Sequence, residues 1–144
     1  MAISPSDRPL RRRSSRVIGT LGYIAPECFN GEYSVASDLF SIGVIFYTLM
    51  TGDLPFDDSI YESHHEAEEL QVAGSPKSKR VQKGLTSAKV DWNVSPWPQL
   101  ALAKDLCQKL IQTDPEERMS SCREALEHPW LVTVMPVTPF RSNV

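Results

Sequence analysis

The 144-residue sequence predicts a mainly α-helical fold, and three observations carry that prediction. A helix pattern starts near Ser34 or Ser37, either of which can cap it, runs to Thr51 and is closed by Gly52. Leu102, Leu106, Leu110 and Ile111 recur at helical spacing over about residues 100–112. Ser121 stands three residues before Glu124, the spacing of a capping box that opens a third helix.

In chain order, residues 1–16 are rich in Pro, Ser and Arg, and the expectation is a disordered basic arm. They hold Arg8, Arg11, Arg12, Arg13 and Arg16 against the single acid Asp7, although the whole chain has a net charge of -3. The acidic excess therefore lies in the body, and the pattern is that of an interaction or regulatory tail. Residues 17–35 read as a loop punctuated by Gly19, Gly22, Pro26 and Gly31. The first helix starts at Ser34 or Ser37, and its nearly continuous apolar composition calls for burial nearly all round.

Leu54, Pro55 and Phe56 begin a turn. The polar stretch 61–84 reads as a mobile insert, broken at Gly74-Ser75-Pro76, with one short amphipathic piece using Ile60, Leu70 and Val72. Pro96 and Pro98 bound a linker that carries Trp92 and Trp97. The second helix ends at Asp114-Pro115 and the third at His128-Pro129. Residues 132–144, with Pro136 and Pro139, read as a tail.

Composition excludes several functions. Hydrophobic residues make up 41% and charged residues 23%, as in a soluble globular protein, and the balance points to neither a nucleic-acid nor a membrane partner. Three cysteines are an odd number without metal-ligand spacing, and read as the free thiols of an intracellular, cytoplasmic protein. His64 and His65 lie among acids and read as solvent-facing. The N-terminus lacks the apolar core of a signal peptide. The apolar run from Leu39 to Met50 falls short of the roughly 20 residues a bilayer requires.

The motif content is more specific. Gly19-Thr20-Leu21-Gly22-Tyr23-Ile24-Ala25-Pro26-Glu27 is followed by Ser37-Asp38-Leu39-Phe40-Ser41-Ile42-Gly43. Asp114-Pro115-Glu116-Glu117-Arg118-Met119 and His128-Pro129-Trp130 come later, in that order. Together these segments resemble the protein kinase domain from the end of its activation loop to its last helix, on the serine/threonine side and closest to the calcium/calmodulin-dependent group. The resemblance covers about residues 17–131. It implies the helical C-lobe portion of the kinase-like fold, without the N-lobe and catalytic loop.

The resemblance also implies roles. Thr20, Leu21, Gly22 and Tyr23 correspond to the loop that receives substrate. Leu21 stands where Pro is common, and Phe40 where Trp is usual. Glu27 is the carboxylate of the Ala-Pro-Glu motif, paired with Arg118. Asp38 is the helix-opening Asp that holds the catalytic loop. Ile45 and Leu49 support the apolar column beneath the adenine. Ser14 and Ser15 follow Arg11-Arg12-Arg13 where activation loops are phosphorylated, and are candidate phosphosites.

Phosphoryl transfer needs a phosphate-covering loop, a strand Lys, a catalytic Asp and magnesium-binding Asn and Asp. The sequence contains no G-x-G-x-x-G, no His-Arg-Asp and no Asp-Phe-Gly. No catalytic residue, cofactor-binding residue or metal ligand is assigned to this chain, although the parent family uses Mg-ATP. The chain alone is expected to be inactive. Without the upstream elements, Phe40, Ile45, Phe46 and Leu49 are expected to be exposed and to favour self-association. Three readings stay open: part of a serine/threonine kinase, a non-catalytic docking or decoy module, and a truncated product without function. The partners they imply are protein substrates or a kinase, met through the substrate-side surface.

Overall fold

A computed structural model describes residues 11–61 and 70–134, with Val134 described by its backbone alone. His64, His65, the tail from 135 onward and residues 1–10 of the basic arm lie outside the described residues. In order, the elements are β1 (Arg12–Arg13), β2 (Glu32–Tyr33), α1 (Val35–Thr51), α2 (Pro76–Ser87), α3 (Ala101–Leu110), α4 (Cys122–Leu126) and α5 (Pro129–Val134). Short 3-10 turns at Pro26–Asn30, Asp58–Ile60 and Trp97–Gln99 link them.

The central element is α1. Ser34 precedes it in extended conformation, and its N–H donates to the Ser37 hydroxyl at 3.1 Å, so both serines share the cap. At the other end Gly52 adopts φ 83°, and its N–H donates to the Thr48 carbonyl at 2.8 Å. Its burial is one-sided, contrary to expectation. Leu39, Phe40, Val44 and Tyr47 are buried, whereas Ile42, Ile45 and Leu49 are 48%, 47% and 79% exposed. Phe40, expected to be exposed, is fully covered because it stacks on Phe56 at 5.8 Å. Phe46 is half-buried, held between Trp97 and Trp130.

Gly43 fixes how closely α3 approaches α1. A Cβ there would lie 2.5 Å from Ile111 Cγ2 and 2.7 Å from Leu110 Cβ, so only hydrogen fits. The face α3 turns inward is Ala103, Leu106, Cys107 and Leu110. Leu102, expected on the apolar stripe, is instead 45% exposed. The helix turns a face containing two small residues toward α1, which permits the close crossing and rotates Leu102 out.

Trp97 is completely buried, and Tyr47, Trp92 and Phe46 surround it at 5.4–5.7 Å between ring centroids. Tyr47 also donates its hydroxyl proton to the Asp91 carbonyl at 2.6 Å, fixing the Trp-rich linker to α1. At the far end Ser121 caps α4 by accepting from the Glu124 N–H at 3.1 Å. The Glu124 carboxylate accepts from the Ser120 N–H at 3.0 Å, one residue ahead of the box position. His128 is buried between α4 and α5. Its Nδ1 accepts from the Trp130 N–H at 3.1 Å, so Nε2 carries the proton toward Asp105 Oδ2, 2.7 Å away on α3.

Residues 76–84, expected to belong to a mobile insert, lie instead in α2, which runs to Ser87. Ser75 accepts from the Ser78 N–H at 3.1 Å and Pro76 occupies the first turn of α2. The Gly-Ser-Pro tripeptide starts a helix here, since proline lacks the N–H that a first helical turn leaves unpaired anyway. Val81 and Leu85 bury its inner face, packed on the Pro26–Asn30 turn.

Candidate functional site

Residues 11–17, most of them in the arm expected to be disordered, are tied down along both sides. Arg12 pairs with Tyr33 and Arg13 with Glu32, antiparallel. The Ser14 N–H donates to the Gly31 carbonyl at 2.8 Å, the Val17 N–H to the Gln71 carbonyl at 2.8 Å, and the Ser15 carbonyl accepts from the Ala73 N–H at 3.0 Å. Gly31 is required for this approach. With φ 81°, a Cβ on it would lie 2.1 Å from the Ser14 carbonyl oxygen.

The two candidate phosphosites differ in setting. Ser14 is half-buried and its hydroxyl accepts from the Arg16 N–H at 3.1 Å. Ser15 is exposed.

The candidate substrate loop follows directly. Thr20 and Leu21 are exposed at its tip, and the Thr20 carbonyl accepts from the Tyr23 N–H at 3.1 Å, closing a tight turn. Gly22 is buried against Leu54, and Tyr23 is half-buried. Two side chains to which the resemblance assigns no role hold this loop. Ser41, on α1, donates to the Tyr23 carbonyl at 2.7 Å. Tyr33 accepts from the Ile18 N–H at 2.7 Å and donates to the Arg16 carbonyl at 3.3 Å. Ser41 lies one turn after Ser37 on the apolar helix, and a polar residue in such a run is the signal that could have found it.

The loop ends in a buried ion pair. Arg118 Nη1 lies 2.9 Å from Glu27 Oε1 and donates to Oε2 at 3.0 Å, joining residues 91 apart in sequence. The same nitrogen donates to the Ala36 carbonyl at 2.8 Å, and Nε donates to the Gln112 carbonyl at 2.7 Å. The guanidinium carbon sits 5.0 Å from the centre of the Phe40 ring. One side chain thus connects the loop, the start of α1 and the segment after α3. Burial pushes the Glu27 carboxyl above its ordinary value, with Arg118 opposing that rise. Glu27 Oε1 and Arg118 Nη2 have no hydrogen-bond partner among the described residues.

Asp38 is exposed on the first turn of α1, and its carboxylate has no partner among the described residues. Beside it, Leu39, Ile42, Phe46 and Leu49 of α1, with Leu106, Leu110 and Leu126, line an apolar groove of 390 Å³. Cys28 and Cys107 are buried, and burial raises their thiols to about 11 and about 12, so neither supplies a thiolate near neutrality. Among the described residues no group of three His, Cys, Asp or Glu side chains is placed to hold a metal ion. No helix among the described residues is long and apolar enough to cross a membrane.

Comparison with known proteins agrees with these features. The family model described as "Protein kinase domain" matches residues 6–131, which takes in most of the basic arm as well. Calcium-dependent protein kinase 22 of Arabidopsis thaliana is 34% identical over 130 residues, covering 90% of this chain and 24% of that protein. Serine/threonine-protein kinase H2 of Homo sapiens is 35% identical over 118 residues, 81% of this chain and 26% of the relative. Calcium-dependent protein kinase 2 of Oryza sativa subsp. japonica is 34% identical over 116 residues, 80% of this chain and 19% of the relative. The chain therefore spans about a fifth to a quarter of the length of these curated relatives. With a helical fold, the ordered motifs and a family match over most of its length, the chain belongs to the protein kinase domain family, on its serine/threonine side.

Proposed function

We propose that this chain is the substrate-facing helical part of a serine/threonine protein kinase, and that alone it transfers no phosphate. The observation that carries the reading is the Glu27–Arg118 pair. It fixes the 19–27 loop onto α1, while Thr20 and Leu21 stay accessible at the loop tip. That arrangement suits a surface that receives a peptide and holds it still, which is most of what phosphoryl transfer asks of this side of a kinase. In this reading Thr20 orients the base, Asp38 secures the catalytic loop, and Ser14 or Ser15 takes a regulatory phosphate.

In this reading Mg-ATP is not held by this chain, whose sequence has no G-x-G-x-x-G, His-Arg-Asp or Asp-Phe-Gly. Among the described residues no group of three His, Cys, Asp or Glu side chains is placed to hold a metal ion, and Lys77 and Lys79 lie on α2 rather than on a strand. The nucleotide and the base belong, in this reading, to sequence upstream of the matched region. The half-exposed α1 supports it: Ile42, Ile45 and Leu49 form a surface shaped to be covered. The test is to assay the chain with Mg-ATP and a generic basic peptide. The same assay follows mixing with the upstream half of a kinase domain from a relative. Activity of the mixture alone supports the reading; phosphorylation by the chain alone above a mock-purified control overturns its second part.

A second reading has its own observation. The same apolar groove favours self-association or capture of a kinase partner, so the chain could serve as a non-catalytic docking module. Concentration-dependent association with no gain of activity on mixing would favour it.

A further inference from the structure

The segment from Leu70 to Val90 contains Lys77, Lys79, Arg80, Lys83 and Lys89 and no acid, in a chain whose net charge is -3. Helix α2 sorts these cations. Val81 and Leu85 face the core, and the opposite face presents Lys79, Arg80 and Lys83, all exposed, with Thr86 and Ser87 continuing the stripe. Spacings of three and four residues place Lys83 beside both Lys79 and Arg80 on one surface. None of these three has an ion-pair partner among the described residues.

The arrangement works against the helix that carries it. Like charges one turn apart repel, and α2 has no acid in its first turn to meet the positive end of the helix dipole. A cationic stripe placed against local preference, on a helix fixed by burial on its other side, is a feature that stability does not explain. Its position gives it a use. The inner face packs on the Pro26–Asn30 turn, and the Gly74 N–H donates to the Phe29 carbonyl at 2.9 Å. That turn is the direct continuation of the candidate substrate loop.

We propose that the Lys79–Arg80–Lys83 face of α2 is a docking surface for an acidic peptide segment of a protein partner or substrate. The face offers long, separately mobile cations without exposed aromatic side chains among them, which suits carboxylates. Stacking of nucleic-acid bases would need such aromatics. A membrane surface is disfavoured because the exposed stripe carries no apolar side chain to insert. The proposal deepens the substrate-facing reading by naming the chemistry that partners present away from the phosphorylated residue.

The test uses the full chain and no ATP, so its outcome and that of the kinase reading are independent. Fluorescence anisotropy follows a labelled Glu-rich peptide and its Gln counterpart, with wild type and with K79Q/R80Q/K83Q. The three positions are exposed, and a matching thermal melt verifies the fold of the variant. The expected result is binding of the Glu peptide alone. It weakens as salt is raised, and about tenfold in the variant as three surface charge contacts are lost together. Equal binding of both peptides, no binding by wild type, or unchanged binding by the variant would overturn the proposal. So would tighter binding of single-stranded nucleic acid on the same residues.

Discussion

Replacing Arg118 by Ala isolates the contact on which the loop's position depends. The side chain is fully buried, so its loss leaves Glu27 and the Gln112 and Ala36 carbonyls without their donor. Breaking a buried pair from one side costs about 3–5 kcal/mol in general. Protonation sets a limit on the carboxylate's share of that cost. A stranded Glu27 would take up a proton rather than stay charged. Holding a group of ordinary value 4.5 neutral at pH 7 costs about 3.4 kcal/mol, at 1.36 kcal/mol per pH unit. The two carbonyls and the contact with Phe40 add to that, so a loss of about 4 kcal/mol is expected.

The pH dependence follows from the same account. With Arg118 gone, the folded-state value of Glu27 rises further above its unfolded value. The folded chain then holds the proton more tightly, so variant stability falls as pH rises from the ordinary carboxylate range toward neutrality. The gap between wild type and variant should therefore narrow on acidification. Urea unfolding of both proteins at pH 7 and near pH 5 reads it directly. A variant as stable as wild type at pH 7, or a gap that is constant with pH, would refute the reasoning.

Further outcomes are expected. Gly43→Ala forces a methyl into Ile111 and Leu110 and should cost about 1–3 kcal/mol by denaturant unfolding, whereas an exposed Ala substitution elsewhere on α1 should not. Asp105 is held below its usual range first by His128 and then by Lys109. Its contribution is present above the ordinary carboxylate range and lost as pH falls through the lowered value, and Asp105→Asn should remove that acid-limb dependence from thermal melts. Leu49→Glu places a charge on the most exposed large apolar residue of α1, and should lower the apparent mass of the chain in concentration-dependent light scattering.

Several of these features are legible in the amino-acid sequence. The limits of α1 follow from Ser34, Ser37 and Gly52, because capping is local chemistry. The pairing of Glu27 with Arg118 is legible through motif order, since nothing local at either residue points to the other. The features that stay hidden depend on distant partners. Gly74-Ser75-Pro76 signals a boundary without saying on which side the helix lies. A count of large apolar residues misphases the face of α3 at Leu102, because it overlooks Ala103 and Cys107, which face inward. The burial of Phe40 is hidden because Phe56 and Arg118, which cover it, are not its neighbours in the helix. The pairing of Arg12 and Arg13 with Glu32 and Tyr33 spans too few residues to show an alternating pattern.

The central claim is that the matched region is one side of a working kinase whose nucleotide chemistry comes from elsewhere. It is tested most directly by measuring transfer of the γ-phosphate from ATP to a peptide. The chain is assayed alone and as part of a polypeptide in which an upstream kinase half from a relative precedes residue 6. The expected result is no transfer by the chain alone, transfer by the joined polypeptide, and loss of that transfer on Arg118→Ala. Transfer by the chain alone, or a folded joined polypeptide that stays inactive, would contradict it.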